Sequence, residues 1–505
     1  MKTRSPYISI ILFIASFAAC SNDVSKEPPS VQASVKDVAP IKKIAKAESG
    51  VAPKVSGAGA ELYSKYCSDC HGEDRLGLVG PPLLPEYFGR QKDEVIKTAI
   101  SEGLTATNMP PFKEELSDSD IDRLVSFIKT PVEKPVWGME EMRPTWQVSY
   151  LSLDEKKPLY DMTNFFMIVE GGSGTVHFMD GDSFKLLGAL KVGAIHGGPK
   201  FGRDLRYAFA VSRGGLLLKY DLIEQREVGR IRGGISTRNI AVSGSGKYLV
   251  QANMLPKNLV VIDAFSLKPV RIIEPGATVG AVYDLRERGE FVVSLKDKPQ
   301  LLVLNDETLD MRKIDIDQPF TDFFIDPSER FLIGTSRGSD HFSIVDIESG
   351  KLIKEVKAEG GMPHLASAAV WSDTSGTYAA FPHIGRSTIT VIKMYDWVIR
   401  GKVETKGPGF FARTHEGTKH IWADTGTDSI QLIDKETLKV VKELVPQAGK
   451  KAMHIEFNKD GSRALVSVWE DEGEVVIYDT KSLDIVKRMP FKKPVGKYNA
   501  TNKRF

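Results

Sequence analysis

Cys67, Cys70 and His71 stand together in the string CSDCH and form the tightest chemical constellation in the chain. Two thiols at this spacing on a helix add across the two vinyl groups of one haem, and the adjacent imidazole is carried beneath the iron as an axial ligand. A zinc or dithiol-redox centre is the competing use of such a pair. The chain holds only three Cys, the third being Cys20, so no second pair exists to complete a zinc site.

A sixth ligand is offered by Met109 in NMPPF, 38 residues after His71. A thioether opposite an imidazole raises the reduction potential and suits electron transfer. Pro81 and Pro82 in GPPLL follow His71 by about ten residues, where a backbone carbonyl orients the ring. Three amphipathic helices are expected around this centre: Ala58 to Tyr66, Asp93 to Gly103 and Ser117 to Lys129. The last is capped by Ser117 with Asp120 three positions on. The unit 57–131 resembles the small all-α class I cytochromes c.

Beyond residue 150 the pattern changes to short period-2 strands with Gly/Asp turns. VHFMD, LLKYD, LVVID, LVLND, SIVDI, TVIKM, QLIDK and VVIYD recur with turn positions at Asp180, Asp221, Asp263, Asn305, Asp346, Met394, Asp434 and Asp479. Their spacings are 41, 42, 42, 41, 48, 40 and 45. Eight units of this length, each mostly strand, predict an all-β eight-bladed propeller over 150–505. The stretch 16 to 20 residues past each turn enters the innermost strand at one rim of the channel. That register holds His196, Arg238, Thr321, Asp322, His364, His454 and Tyr498. Three of the nine His in the chain therefore fall on one rim. His177, His341, His383, His415 and His420 are read as structural or surface residues.

A CxxCH cytochrome followed by an eight-bladed propeller resembles the cytochrome cd1 family, whose propeller binds haem d1. The strings SGTVHFMDGDSFKLLGALKVGAIH, GISTRNIAVS, GGMPHLASAAV, RTHEGTKHIWAD and GKYNATN carry the likeness over nearly all of 57–505. The resemblance implies that His196 is the proximal ligand to the d1 iron. It also implies that Arg213 and Arg238 hold the carboxylates of that haem, a task suited to a planar, always-charged fork. His364 matches one of the two distal His that protonate nitrite in the family's reductases. The other should fall in QPFTDFFID, where this chain has Thr321 and Asp322. His454 in KAMHIEF and Tyr498 in GKYN instead resemble the catalytic pair of the paralogous dehydrogenases that oxidise dihydro-haem d1 to haem d1. By that resemblance His454 takes a proton from a propionate carbon, a role suited to imidazole near neutrality. Tyr498 orients the same side chain, and electrons pass to the covalent haem c. Two other readings stand beside it: a cd1-type nitrite reductase in which Asp322 replaces the lost His, and a carrier that binds haem d1 without changing it.

The first 20 residues read as an export signal. Lys2 and Arg4 precede the apolar run Ile8 to Phe17 and the small pair Ala18-Ala19. Cys20 then becomes a lipidated N-terminus, or cleavage is of the simple kind; either puts the mature chain in the periplasm. Residues 21–56, rich in Ser, Pro, Ala and Lys without an aromatic, are a flexible linker, and 132–149 is a Pro-punctuated connector. With 68 basic and 66 acidic residues the chain has no field to draw nucleic acid, and contact with a membrane rests on Cys20 alone. The expected partners are the tetrapyrrole, a periplasmic electron acceptor and a cd1 nitrite reductase as recipient of haem d1.

Overall fold

The helix Asp118–Ile128 turns Ile121, Leu124, Val125 and Ile128 inward, onto Tyr63 of the helix Ala58–Tyr66 and Ile96 and Ile100 of Asp93–Ser101. Its start is set by a reciprocal cap: Asp120 N–H donates to Ser117 Oγ at 3.2 Å, and Ser117 N–H to Asp120 Oδ2 at 3.3 Å. Such a cap contributes about 1 kcal/mol. Arg75 closes the unit from beneath, donating to Phe127 O at 2.6 Å and Thr130 O at 2.9 Å. The computed structural model describes residues 57–77, 80–88, 92–104, 109–149, 157–336, 338–358 and 360–502. The expected signal segment, Cys20 and the linker 21–56 lie outside these residues. Among the described residues no helix is long and apolar enough to cross a membrane.

Eight antiparallel sheets follow; six have their strands in sequence order from the centre outward, and the other two borrow a strand from elsewhere in the chain. The turn residues of the repeat explain themselves in this geometry. Asp221 Oδ1 accepts the N–H groups of Ile223 and Glu224 at 2.9 and 3.0 Å, and Asp479 Oδ1 those of Lys481 and Ser482 at 2.9 and 3.0 Å. A short acceptor side chain thus closes the hairpin between the two outer strands of a blade. Met394 lacks an acceptor, and that turn carries the ion pair Lys393–Asp396 instead.

The ring is closed by the C-terminal strand Pro494–Asn499, which pairs with Phe165–Glu170 at the other end of the propeller sequence. It is therefore the innermost strand of the first blade, and closure leaves no free edge at the seam. Blades are held to one another by apolar clusters shared between neighbouring sheets. One joins Val250, Leu259 and Val261 to Val282, Phe291 and Val293. Each such side chain contributes about 1.5–3 kcal/mol when fully buried.

The connector carries more structure than its prolines imply. Met139–Met142 is a helical turn, and Gln147–Val148 adds a fifth strand to one blade by pairing with Arg226–Arg232. Trp137 Nε1 donates to Arg232 O at 3.1 Å and Trp146 Nε1 to Ser266 O at 2.8 Å. Two indoles with apolar bodies and one donor each dock this segment to the sheet edge. Leu76 and Leu84 of the helical domain pack against Ile235 and Leu255 of the propeller, and Tyr87 donates to Met254 O.

Candidate functional site

Cys67 ends the first helix, and Cys70 and His71 lie on the following turn, Ser68–His71. Neither Cys67 nor Cys70 is in a disulfide. His71 Nδ1 is 2.8 Å from Pro81 O, so Nδ1 is the N–H donor and Nε2 keeps its lone pair. Burial holds this imidazole below its ordinary pKa, in the neutral, ligating form. Gly80 permits the close approach: a Cβ there would lie 2.6 Å from His71 Cε1. Met109 packs on the domain's apolar cluster with Tyr66, Leu83 and Phe112. Two thiols outside any disulfide, a neutral imidazole with a fixed tautomer and a thioether against an apolar wall fit a covalent haem.

The second site is built by the innermost strands of the propeller. His196 lies beside the bridge Ile195–Ser212, at the start of its blade. Arg238, on the strand Ser236–Val242, brings Nη1 to 2.6 Å from His196 Nε2 and donates through Nε to Gly280 O at 3.0 Å. Burial, then Arg238, Arg213 and Lys296, push the His196 pKa well below its ordinary value. The ring is therefore neutral, and its Nδ1 is buried without a hydrogen-bond partner. Arg213 is itself pushed down to about 9 by burial and by Arg238, and no carboxylate lifts it back. A neutral imidazole whose Nε2 lone pair faces the Arg238 guanidinium, ringed by desolvated cations, suits a metallated ligand bearing several carboxylates.

Across the rim, four rings follow one another. His364 lies 5.8 Å from Phe411 between centroids, Phe411 4.6 Å from His454, and His454 5.7 Å from Tyr498. The single hydroxyl proton of Ser367 is taken by Phe410 O, so His364 Nδ1, 2.7 Å away, donates to Ser367 Oγ. This leaves His364 Nε2 as an acceptor. Tyr498 rests on Gly198, where a Cβ would lie 2.5 Å from Tyr498 Cζ; only glycine, here at φ +71°, leaves that room. Burial pushes the phenol up to about 12, so it is a hydrogen-bond donor at neutrality.

Asp322 occupies the position where the sequence reading looked for a second distal His. Its Oδ2 accepts the Leu365 N–H at 3.0 Å and its Oδ1 the Ala366 N–H at 3.2 Å. Each oxygen thus accepts one N–H from the loop that carries His364. Thr321 beside it is exposed. Of the remaining histidines, His415 Nε2 lies 3.2 Å from Lys459 O, and His420 Nδ1 is buried without a hydrogen-bond partner. His177 lies 3.1 Å from Glu170, His341 2.8 Å from Asp317, and buried His383 bonds Gly360 O and Thr390 Oγ1.

Several groups at this rim were not singled out from the sequence. Tyr283 is pushed up to about 12 by burial and then by Asp322; Lys296 faces His196, and Arg413 faces Tyr498. Arg413 lies in the string RTHEGTKHIWAD, at the innermost-strand register, so the repeat offset would have found it. Lys296 sits at the end of a second strand and had no such signal.

Comparison with known proteins agrees with this geometry. The family described as Cytochrome D1 heme domain matches residues 160–503, and that described as Cytochrome C oxidase, cbb3-type, subunit III matches 56–128. The chain is similar to dihydro-heme d1 dehydrogenase of Pseudomonas aeruginosa, 38% identical over 90% of this chain and 95% of the relative. It is also similar to a nitrite reductase of Stutzerimonas stutzeri, 24% identical over 88% and 92%. The solved structure of dihydro-heme d1 dehydrogenase NirN in complex with DHE superposes with a TM-score of 0.75, at 37% identity, covering 88% of this chain and all of the other. With a cytochrome c domain before an eight-bladed propeller and these likenesses over both parts, the chain belongs to the cytochrome cd1 family, on the side of its dihydro-haem d1 dehydrogenases.

Proposed function

We propose that this chain oxidises dihydro-haem d1 to haem d1, converting a propionate side chain to an acrylate. The observation that carries the reading is the pairing of His454 with Tyr498 on a rim where Asp322 has both oxygens bound to backbone. In place of a second distal His that arrangement has a carboxyl tied to the His364 loop, whereas a base beside a phenol donor is present.

The substrate side chain –CH2–CH2–COO⁻ becomes –CH=CH–COO⁻, releasing two protons, one to His454 and one to water, and two electrons, which leave one at a time to the acceptor. His196 turns to the substrate iron the Nε2 lone pair that faces Arg238, while Arg213 and Arg238 pair with substrate carboxylates. His454, almost wholly buried, accepts one proton from a propionate carbon on a ring nitrogen. Tyr498 remains protonated and donates a hydrogen bond to the carboxylate of the same side chain, holding it against His454. His364 shapes the same wall through its Nε2. Cys67, Cys70, His71 and Met109 would hold the covalent haem, which would supply one-electron acceptance.

The export signal and the basic n-region support a periplasmic setting, with Cys20 as the attachment point if the leader is of the lipoprotein kind. An acceptor in that compartment takes the electrons, and a cd1 nitrite reductase receives the product. His454→Ala tests the assignment. Turnover falls by roughly 10²–10⁴, the usual worth of a general base, with substrate affinity kept. Unchanged turnover in that variant removes His454 from the role.

A further inference from the structure

His454 is held in a conformation its strand does not favour. Its φ of +51° lies in the left-handed region, which is costly for a residue with a Cβ. It is the extra residue of a β-bulge in the strand Ala452–Phe457: Met453 pairs with Ser467 and Ile455 with Val466, and His454 has no partner between them. A bulge of this kind re-aims one side chain, and removing it by a one-residue slip would turn that side chain to the other face. Such a strained residue persists only where its surroundings over-determine it.

Two buried ionisable side chains from neighbouring strands provide that constraint. Asp424 Oδ2 accepts the His454 N–H at 3.2 Å, while its Oδ1 accepts the Phe410 N–H at 2.6 Å. Lys497 Nζ donates to His454 O at 2.6 Å and to Ser467 Oγ at 2.5 Å. The ammonium therefore spans the bulge, joining the carbonyl of the extra residue to the residue opposite its neighbour. Lys497 is fully buried, and desolvation pushes it down to about 7 against the opposing pull of Glu456 and Asp424. Keeping a lysine here is expensive for folding, and no surface role explains it. Lys497 also precedes Tyr498 on the same strand, so one element carries both the clamp and the phenol.

We infer that Lys497 is a positioning residue, which locks the bulge at His454 and so aims that imidazole at the substrate. The inference rests on the role proposed above for His454. Lys497→Met keeps the volume and removes the donor; Lys497→Gln keeps a donor without the charge. The full-length haem-loaded protein is assayed with dihydro-haem d1 for turnover and for affinity by absorbance titration, beside His454→Ala. The expected result is a kcat loss of roughly 10- to 100-fold in Lys497→Met, as for a misplaced catalytic group. Affinity stays within about twofold, and Lys497→Gln recovers part of the rate. A crystal structure of Lys497→Met is expected to show His454 at negative φ in a regular ladder. A retained bulge in that structure, or equal loss in Met and Gln variants, overturns the inference. An active His454→Ala protein with a collapsed bulge in Lys497→Met would instead overturn the role of His454 and leave the clamp standing.

Discussion

The rings of His454 and Tyr498 come from innermost strands of adjacent blades and meet edge to face, at an interplanar angle of 69°. Neither is held there by its own strand alone: His454 depends on a bulge and Tyr498 on the space left by Gly198. The pair is thus a product of ring closure, because Tyr498 reaches its place only when the C-terminal strand completes the first blade.

Tyr498→Phe keeps the ring on Gly198 and removes the donor. One hydrogen bond to a charged carboxylate is worth about 1.5–3 kcal/mol, so kcat/KM falls roughly 10- to 100-fold. Steady-state kinetics with dihydro-haem d1 checks it; a change under twofold contradicts a hydrogen-bonding role.

Arg238→Gln removes a cation that presses on His196 and faces the substrate carboxylates. Affinity for dihydro-haem d1, read by absorbance titration, weakens by about 10-fold or more. Unaltered affinity would mean that Arg238 does not hold a substrate carboxylate.

Met109→Ala leaves the haem attached through Cys67 and Cys70 and takes away the thioether. The reduction potential of the covalent haem falls, since a Met ligand is what raises it. An equilibrium redox titration gives the answer, and an unchanged potential excludes Met109 as ligand.

Asp424 gives a pH signature. Burial raises its carboxyl from 3.8 to about 6, so the folded protein binds the extra proton between those values. The contribution is fully present below the unfolded pKa and is lost as pH rises through the folded one, by at most about 3 kcal/mol. The unfolding free energy of the parent should therefore fall relative to Asp424→Asn between about pH 4 and pH 6.5. Parallel curves would show that the carboxyl is not perturbed.

Much of this was legible in the residues. The turn acids announced eight blades because each closes a hairpin by local hydrogen bonds, which a sequence displays directly. The Ser117 cap and the Cys67–His71 motif are equally local. The rim register brought His196, Arg238, His364, His454 and Tyr498 to one end because a repeat fixes depth in the channel. Lys497 and Asp424 were not legible, since their partners lie on other strands and their function depends on where a ladder slips. Asp322 was noticed as a missing His, but its bonds to Leu365 and Ala366 required the neighbouring blade.

The central claim is tested by adding dihydro-haem d1 anaerobically to the protein with its covalent haem oxidised, and following the absorbance of both chromophores. The account predicts conversion to the spectrum of haem d1, with two covalent haems reduced for each substrate converted. Binding without conversion, with an added oxidant present, would contradict it.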